Sequence, residues 1–469
     1  MKMKRRYLIY LTLCLLSAGS APALAQSAEL SLDDCRRMAL DYSNAATKAR
    51  LDLEVARYRK QEALTEFFPQ VSAFSLGFRA LNPMVDMDIK DVFGSNDFTN
   101  NLQNIIDSYA PTVGVVPRVS LLSGAFTAGV SILQPLYAGG RIVNGNRLAS
   151  LGVEAARLSG SIAGRELMEN VDELYWELVC LQEKQTTLES ALGLIEMLHR
   201  DATSALSAGL ATEDVVEELD YQKNNLESSR LQLRSGILLA KMNLFNTIGQ
   251  KYSLIAAAAS EEKPYIDSIK VHLPSESPQN PETYYCDPES IAACLEESRL
   301  LELQVQAGKL QKKMALGEAL PQVAVGAGYS YGRFVGDARS NLTAFATIQV
   351  PLSGWWKTSS TLGRLQAEVE KAESERDYLR AQLELKVRKC YLDLTVCWDS
   401  YILALEAEDI ARASFKRQEV SYEAGMVGAS ELAGARVKLR QEEDKRIEAE
   451  SDYFKALHSW NELRKAANN

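Results

Sequence analysis

The 469-residue chain is long enough for two ordinary domains or one large elongated one, and its 46% hydrophobic and 24% charged content excludes a disordered protein. Its formal net charge of −10 argues against general nucleic-acid binding, which calls for a basic surface.

Residues 1–25 read as a secretory signal. Lys2, Lys4, Arg5 and Arg6 form a basic head, residues 7–16 an apolar run too short to span a bilayer, and Ala23-Leu24-Ala25 supplies small residues for cleavage. Cleavage before Gln26 removes four positive charges, moving the net charge from −10 to −14. Cys14 follows Leu13 rather than the small residue a lipid-anchor site wants. Beyond Gln26 no apolar stretch approaches the ~20 residues of a transmembrane helix, which leaves a soluble fold or a β-barrel. Six further cysteines are scattered, with no Cys-x-x-Cys and no clustering with His199, His272 or His458, so no zinc site is expected. Cys390 and Cys397 share a helix face but stand about 10 Å apart along it, too far to bridge. A Cys286–Cys294 disulfide and buried free thiols remain competing readings.

The chain repeats itself. Phe68-Pro69-Gln70-Val71 returns as Leu320-Pro321-Gln322-Val323, and Ala39-Leu40-Asp41 resembles Cys294-Leu295-Glu296. Pro135 and Pro351, Val171 and Val387, Tyr175 and Tyr391, and Gly209 and Gly425 all keep one spacing of 216 residues. Each half therefore has one plan: helix, Pro-Gln, strand, loop, strand, Pro, long helix, Gly turn, helix. The expected division is a first repeat over 26–249, a linker over 250–287 and a second repeat over 288–469.

Neither 142–206 nor 358–421 contains a proline, which predicts two helices of about 66 residues, roughly 100 Å each. In the second, Leu362, Leu365, Val369, Ala372, Leu379, Leu383, Val387, Tyr391 and Leu394 recur in the three-, four- and seven-residue steps of a coiled coil. Ordinary globular helices run 8–20 residues, so the length argues against a plain bundle.

Four segments switch to alternation. Phe74, Leu76 and Phe78 alternate with Ala73, Ser75 and Gly77; Phe126, Ala128, Val130 and Ile132 with Thr127, Gly129 and Ser131. Val323 to Tyr331 and Leu342 to Val350 behave alike. Each is a charge-free run of about the 9–11 residues a membrane strand needs, with apolar side chains expected toward lipid and small or hydroxyl ones toward a lumen. Four strands cannot close a barrel, and open edges in hydrocarbon leave backbone groups unsatisfied at several kcal/mol each. Copies must then share strands: two would make eight strands packed full of side chains, three would make twelve around a conducting lumen.

At these residues the chain resembles the TolC-family outer-membrane efflux proteins, over nearly all of 30–466. The repeated Pro-Gln before a strand, Gln-Pro-Leu-Tyr-Ala-Gly-Gly-Arg at 134–141 and Ala-Gly-Leu-Ala-Thr-Glu-Asp-Val at 208–215 carry the likeness. The resemblance implies a mainly α fold with a membrane β-barrel portion: a homotrimer whose four strands per protomer share a twelve-stranded barrel, and whose long antiparallel coiled-coil helices form an α-barrel. It implies an outer-membrane location reaching into the periplasm, contact with outer-membrane lipid, docking to a periplasmic adaptor, and an inner-membrane pump of resistance-nodulation-division or ABC type. It further implies that the turns at Ala208, Gly209, Leu210 and at Ala424, Gly425, Met426 are the adaptor-contact tips, with Thr212 and Asp214 suited to capping the next helix. Family members often carry a ring of carboxylates past the second turn. Here the matching positions are Ser430 and Ala433, with Glu431 displaced by one, while the first repeat offers Asp214, Glu217 and Glu218. The insert at 80–120 is expected outside the cell and the linker at 250–287 in an equatorial collar. The expected function is passive conduction with no catalysis and no cofactor. The alternative is a soluble periplasmic coiled-coil scaffold or adaptor. An enzyme is disfavoured because no nucleophile–base pair, phosphate loop or metal constellation is legible.

Overall fold

A computed structural model describes residues 30–81, 85–87, 97–113, 119–121, 124–260, 263–272, 277–333, 337–352 and 354–468. The signal reading at 1–25, with Cys14, falls outside the described residues, as does much of the 80–120 insert.

Helices α1 (Leu32–Tyr42) and α2 (Asn44–Thr65) come first. Ser31 caps α1, its hydroxyl oxygen accepting from the Asp34 N–H at 3.2 Å. Strand β1 (Gln70–Arg79) follows. The insert holds a paired β2 (Val85–Met87) and β3 (Val119–Leu121) and a 17-residue helix α3 (Asp97–Val113). Then come β4 (Gly124–Ala138), α4 (Arg141–Ser207) and α5 (Glu213–Thr247). Short 3-10 turns punctuate the linker. The second half runs α6 (Pro288–Cys294), α7 (Glu296–Glu318), β5 (Gln322–Arg333), β6 (Arg339–Gln349), α8 (Gly354–Glu423) and α9 (Ala429–Asn468). With no proline to remove a backbone donor, α4 runs 67 residues and α8 runs 70.

The chain forms two compact units, each drawn from both halves. Among the described residues, one takes those from 30–54, 155–302 and 375–468, the other those from 55–154 and 303–374. The first unit has an aromatic and aliphatic core. Trp176 stacks on Phe454 with ring centroids 4.3 Å apart, beside fully buried Tyr175, Tyr453 and Trp460. Their polar tips hold the linker. Tyr175 donates to the His272 carbonyl at 2.7 Å, Tyr453 to the Gln279 carbonyl at 2.6 Å, and Trp460 to the Tyr284 carbonyl at 3.0 Å. Buried Ile266, Ile269 and Val271 supply the linker's apolar side of that contact. A second cluster in this unit joins Leu188, Ala191, Leu192, Ile195, Leu198 and Ala202 of α4 to Leu219 and Leu226 of α5 and Leu432 and Ala433 of α9. Those α4 positions, spaced mostly by three and four residues, make one helix face.

Along α8 the nine apolar positions of the coiled-coil pattern are all buried or half-buried. A second apolar line on the same helix has no cover: Tyr378, Leu385, Leu392, Val396, Leu403 and Ile410 are all exposed, in steps of seven, seven, four, seven and seven. Exposed Tyr221, Leu231 and Leu239 continue the theme on α5.

The second unit holds a four-stranded antiparallel sheet in the order β1-β4-β5-β6. Each half contributes one hairpin, and the hairpins join at β4 and β5. Pro135, which has no N–H for the ladder, sits where the β4–β5 register shifts between Pro135 and Tyr137. β1 and β6 are the margins, and every residue in both is exposed.

Candidate functional site

Directly paired residues of an antiparallel ladder share a face, so the register assigns every strand residue to one side. One side carries Phe126, Val130 and Ile132 of β4, Val325, Tyr329 and Tyr331 of β5, and Leu342 and Ile348 of β6. The opposite side carries Thr127, Gly129 and Ser131, then Gly326, Gly328, Ser330 and Gly332, then Thr343 and Thr347. On β5 the large residues are exposed while the small ones between them are half-covered, as on a sheet curved toward its small-residue side.

β1 departs from the pattern of its neighbours, in which the larger apolar residues share one side. Val71 pairs with Ile132 and Ala73 with Val130, so Val71, Ala73, Ser75 and Gly77 belong to the apolar side. Phe74 pairs with Gly129, Leu76 with Thr127 and Phe78 with Ala125, which puts the three large residues on the small-residue side. Phe345 of β6 joins them, paired with Gly326. The rings need those glycines. A Cβ on Gly129 would stand 3.0 Å from the Phe74 Cζ, and one on Gly326 2.5 Å from the Phe345 Cζ. Arginines end three strands: Arg79 pairs with Gly124, Arg333 with Phe126 and Arg339 with Gly332, all at the sheet end remote from the strand–helix junctions.

In the first unit both glycine turns close as left-handed helix ends. Gly209 has φ +73° and Gly425 φ +68°. Gly209 N–H donates to the Leu206 carbonyl and Leu210 N–H to that of Ala205, at 2.9 and 2.8 Å. Gly425 to Tyr422 and Met426 to Ser421 repeat those two bonds at the same distances. These are Schellman closures, in which the residue after the glycine commonly packs back on its own helix. Here it does not: Leu210 is 83% and Met426 72% exposed. Ala208 and Ala424 are exposed beside them. A cleft of about 710 Å³ lined by Ala205, Gly209, Leu210, Val215, Tyr422 and Gly428 joins the first turn to residues flanking the second. Thr212 occupies the N-cap position of α5, but its side chain makes no capping bond, against the sequence expectation.

Asp214, Glu217, Glu218 and Glu431 are all exposed, and among the described residues none has an ion-pair partner. Glu218 accepts from the Gln222 amide at 2.8 Å. Glu431 borders a separate hollow with Gln418 and Lys438. The neighbouring Ser430 is half-buried and Ala433 buried.

Charge networks that sequence reading missed tie these helices together. The Arg36 guanidinium forks onto the buried Asp172 carboxylate, Nε to Oδ1 at 2.7 Å and Nη2 to Oδ2 at 2.5 Å. Burial works against the Arg36 cation, but hydrogen bonding and charge from Asp172 win and raise its pKa. Arg165 pairs with Glu296 at 2.9 Å and with Glu297. Arg446 of α9 holds buried Glu408 of α8 at 2.6 Å, and Arg412 and Glu450 complete that group. Burial raises the Glu169 carboxyl above the usual range, despite Lys386 and Arg165 nearby. All six described cysteines are free, including Cys286 and Cys294. Burial, aided by acidic neighbours, pushes the Cys35 and Cys390 thiols up to about 12, which suppresses the reactive thiolate. Among the described residues no His, Cys, Asp or Glu group could hold a metal ion, and no helix is long and apolar enough to cross a membrane.

Residues 299–469 match the family described as outer membrane efflux protein. No curated protein sequence matches the chain. Among solved structures, the Campylobacter jejuni CmeC outer membrane channel aligns with a TM-score of 0.73 at 12% identity, over 93% of this chain and 86% of that one. The Vibrio cholerae outer membrane protein VceC aligns with a TM-score of 0.68 at 14% identity, over 92% and 95%. The open state of the Neisseria gonorrhoeae MtrE outer membrane channel aligns with a TM-score of 0.67 at 12% identity, over 92% and 88%. At these identities the structures establish a shared fold, and the family match brings the efflux-protein resemblance to the second half of the chain.

Proposed function

We propose that this chain is one protomer of an outer-membrane efflux channel that conducts solutes passively from the periplasm to the cell exterior. The observation that carries the reading is a sheet with one apolar face and two unpaired margins. In hydrocarbon such margins are untenable, and only a closed barrel satisfies them. The uncovered heptad line on α8 makes the same demand of the helices, because apolar stripes in coiled-coil spacing seek a partner helix. Three copies supply the twelve strands and the α-barrel, and the two halves of the chain act as repeats within each copy. The tips at Ala208, Gly209, Leu210, Ala424, Gly425 and Met426 dock a periplasmic adaptor, with exposed Leu210 and Met426 as the apolar contacts, and the adaptor links the duct to an inner-membrane pump. Asp214, Glu217, Glu218 and Glu431, being exposed, are the carboxylates available to narrow a threefold entrance.

Planar-bilayer recording of the reconstituted protein tests this reading. Discrete conductance steps and a heat-modifiable oligomer in the outer-membrane fraction are expected; a detergent-free soluble monomer overturns it. For the tips, Gly209→Pro or Gly425→Pro removes the N–H that closes the turn and imposes φ near −65° where +73° or +68° is needed. Export in cells is expected to fall while the barrel still assembles. Lost membrane insertion instead would show that these turns are not the docking tips.

A further inference from the structure

On β1, Phe74, Leu76 and Phe78 project from the side that β4 and β5 fill with Thr127, Gly129, Ser131, Gly326, Gly328 and Ser330. Phe345 of β6 projects from that same side. All four remain open to solvent: Phe74 is 45% exposed, Leu76 63%, Phe78 39% and Phe345 43%. If the continuous apolar face of β4, β5 and β6 meets lipid, these four side chains face the water-filled interior, which is normally polar in membrane barrels.

The repeat makes the placement informative. Val71 corresponds to Val323 by the shared Pro-Gln-Val, so Phe74, Leu76 and Phe78 stand where the second half has Gly326, Gly328 and Ser330. Small residues therefore suffice on this side of the same kind of strand. Leaving a large apolar side chain in water forgoes the gain of burying it, and here that happens at four positions. β1 and β6 are the two margins, so closure brings Phe74, Leu76 and Phe78 of one copy onto the strand beside the Phe345 strand of the next.

We infer that Phe74, Leu76, Phe78 and Phe345 form an apolar belt on the inner wall of the shared barrel. The belt transiently adsorbs the alkyl or aromatic faces of amphiphilic organic solutes in transit and narrows the path of small hydrated ions. An apolar lining repels hydrated ions by withholding water while offering apolar solutes a contact they lack in bulk. This inference rests on the channel reading above.

The test compares tetramethylammonium and tetrabutylammonium as blockers of single-channel current through the full reconstituted channel. They carry the same charge and differ in apolar surface. In the unaltered protein tetrabutylammonium blockades are expected to last at least about tenfold longer, the factor given by about 1.4 kcal/mol of contact. In the Phe74→Ser/Leu76→Ser/Phe78→Ser variant that difference is expected to shrink toward unity while potassium conductance rises. Leu76→Ser alone covers the case in which the triple variant fails to assemble: Leu76 pairs with Thr127, not with a glycine that its side chain must cover, and partial loss of the blocker difference is expected. An unchanged blocker difference and conductance in an assembled variant overturns the belt and leaves the channel standing. No conductance from the unaltered protein overturns the channel reading itself.

Discussion

Among single residues, buried charges carry the clearest energetic consequences. Asp172 retains 3% of its side-chain exposure and depends on the Arg36 fork. Arg36→Ala leaves that carboxylate buried without its partner, a change that typically costs about 3–5 kcal/mol. Thermal or denaturant unfolding should show that loss, and Asp172→Asn added to it should restore part. Glu169 gives the opposite sign. Its pKa is raised in the folded protein, so its contribution is favourable below the usual value of 4.5 and is lost as pH rises through the folded value. Glu169→Gln is therefore expected to stabilise at pH 7.5, by less than about 1 kcal/mol, with the advantage fading toward pH 4. Equal effects at both pH values would rule out desolvation as the cause. Neither residue announces itself in the chain: Arg36 and Asp172 are 136 positions apart, and their meeting depends on how α1 lies against α4.

At the scale of elements, the long helices, both glycine turns and all four sheet strands were legible, because each rests on a local signal: the absence of proline, a left-handed glycine, or alternation. The side on which β1 turns its phenylalanines was not. Alternation has a period of two but no absolute phase, and a shift of one residue exchanges the faces. Matching Val71 to Val323 would have set the phase, because Phe74 then aligns with Gly326 and not with Val325. The linker's anchorage was hidden for another reason. Tyr175, Tyr453 and Trp460 donate to backbone carbonyls, which every residue possesses and no sequence pattern marks. α8 shows both situations at once. Its buried line was read from spacing, while Tyr378, Leu385, Leu392, Val396, Leu403 and Ile410 form a second line that the protomer leaves exposed. A Leu385→Asp/Leu403→Asp variant should keep its helical content by circular dichroism yet lose oligomer, because both side chains are exposed within the protomer. Retention of a full oligomer would mean that this line faces something other than a sister helix.

For the whole molecule, the sheet's strand order carries a constraint on assembly. The four strands alternate in direction, so β1 and β6 run in opposite senses and the free margin of one copy can pair antiparallel with the other margin of the next. That hydrogen bonding is equally content with any number of copies. Side-chain volume must then choose the circumference. β4 and β5 are wedge-shaped, bulky on one side and slight on the other, and favour tight curling toward the slight side. β1 is the reverse wedge, with Ala73, Ser75 and Gly77 on the apolar side and Phe74, Leu76 and Phe78 on the small-residue side. In the barrel proposed above it would stand at every seam and prop the ring apart as an arch stone set wide end down would, so trimming those three side chains would remove an obstacle to rings of fewer copies.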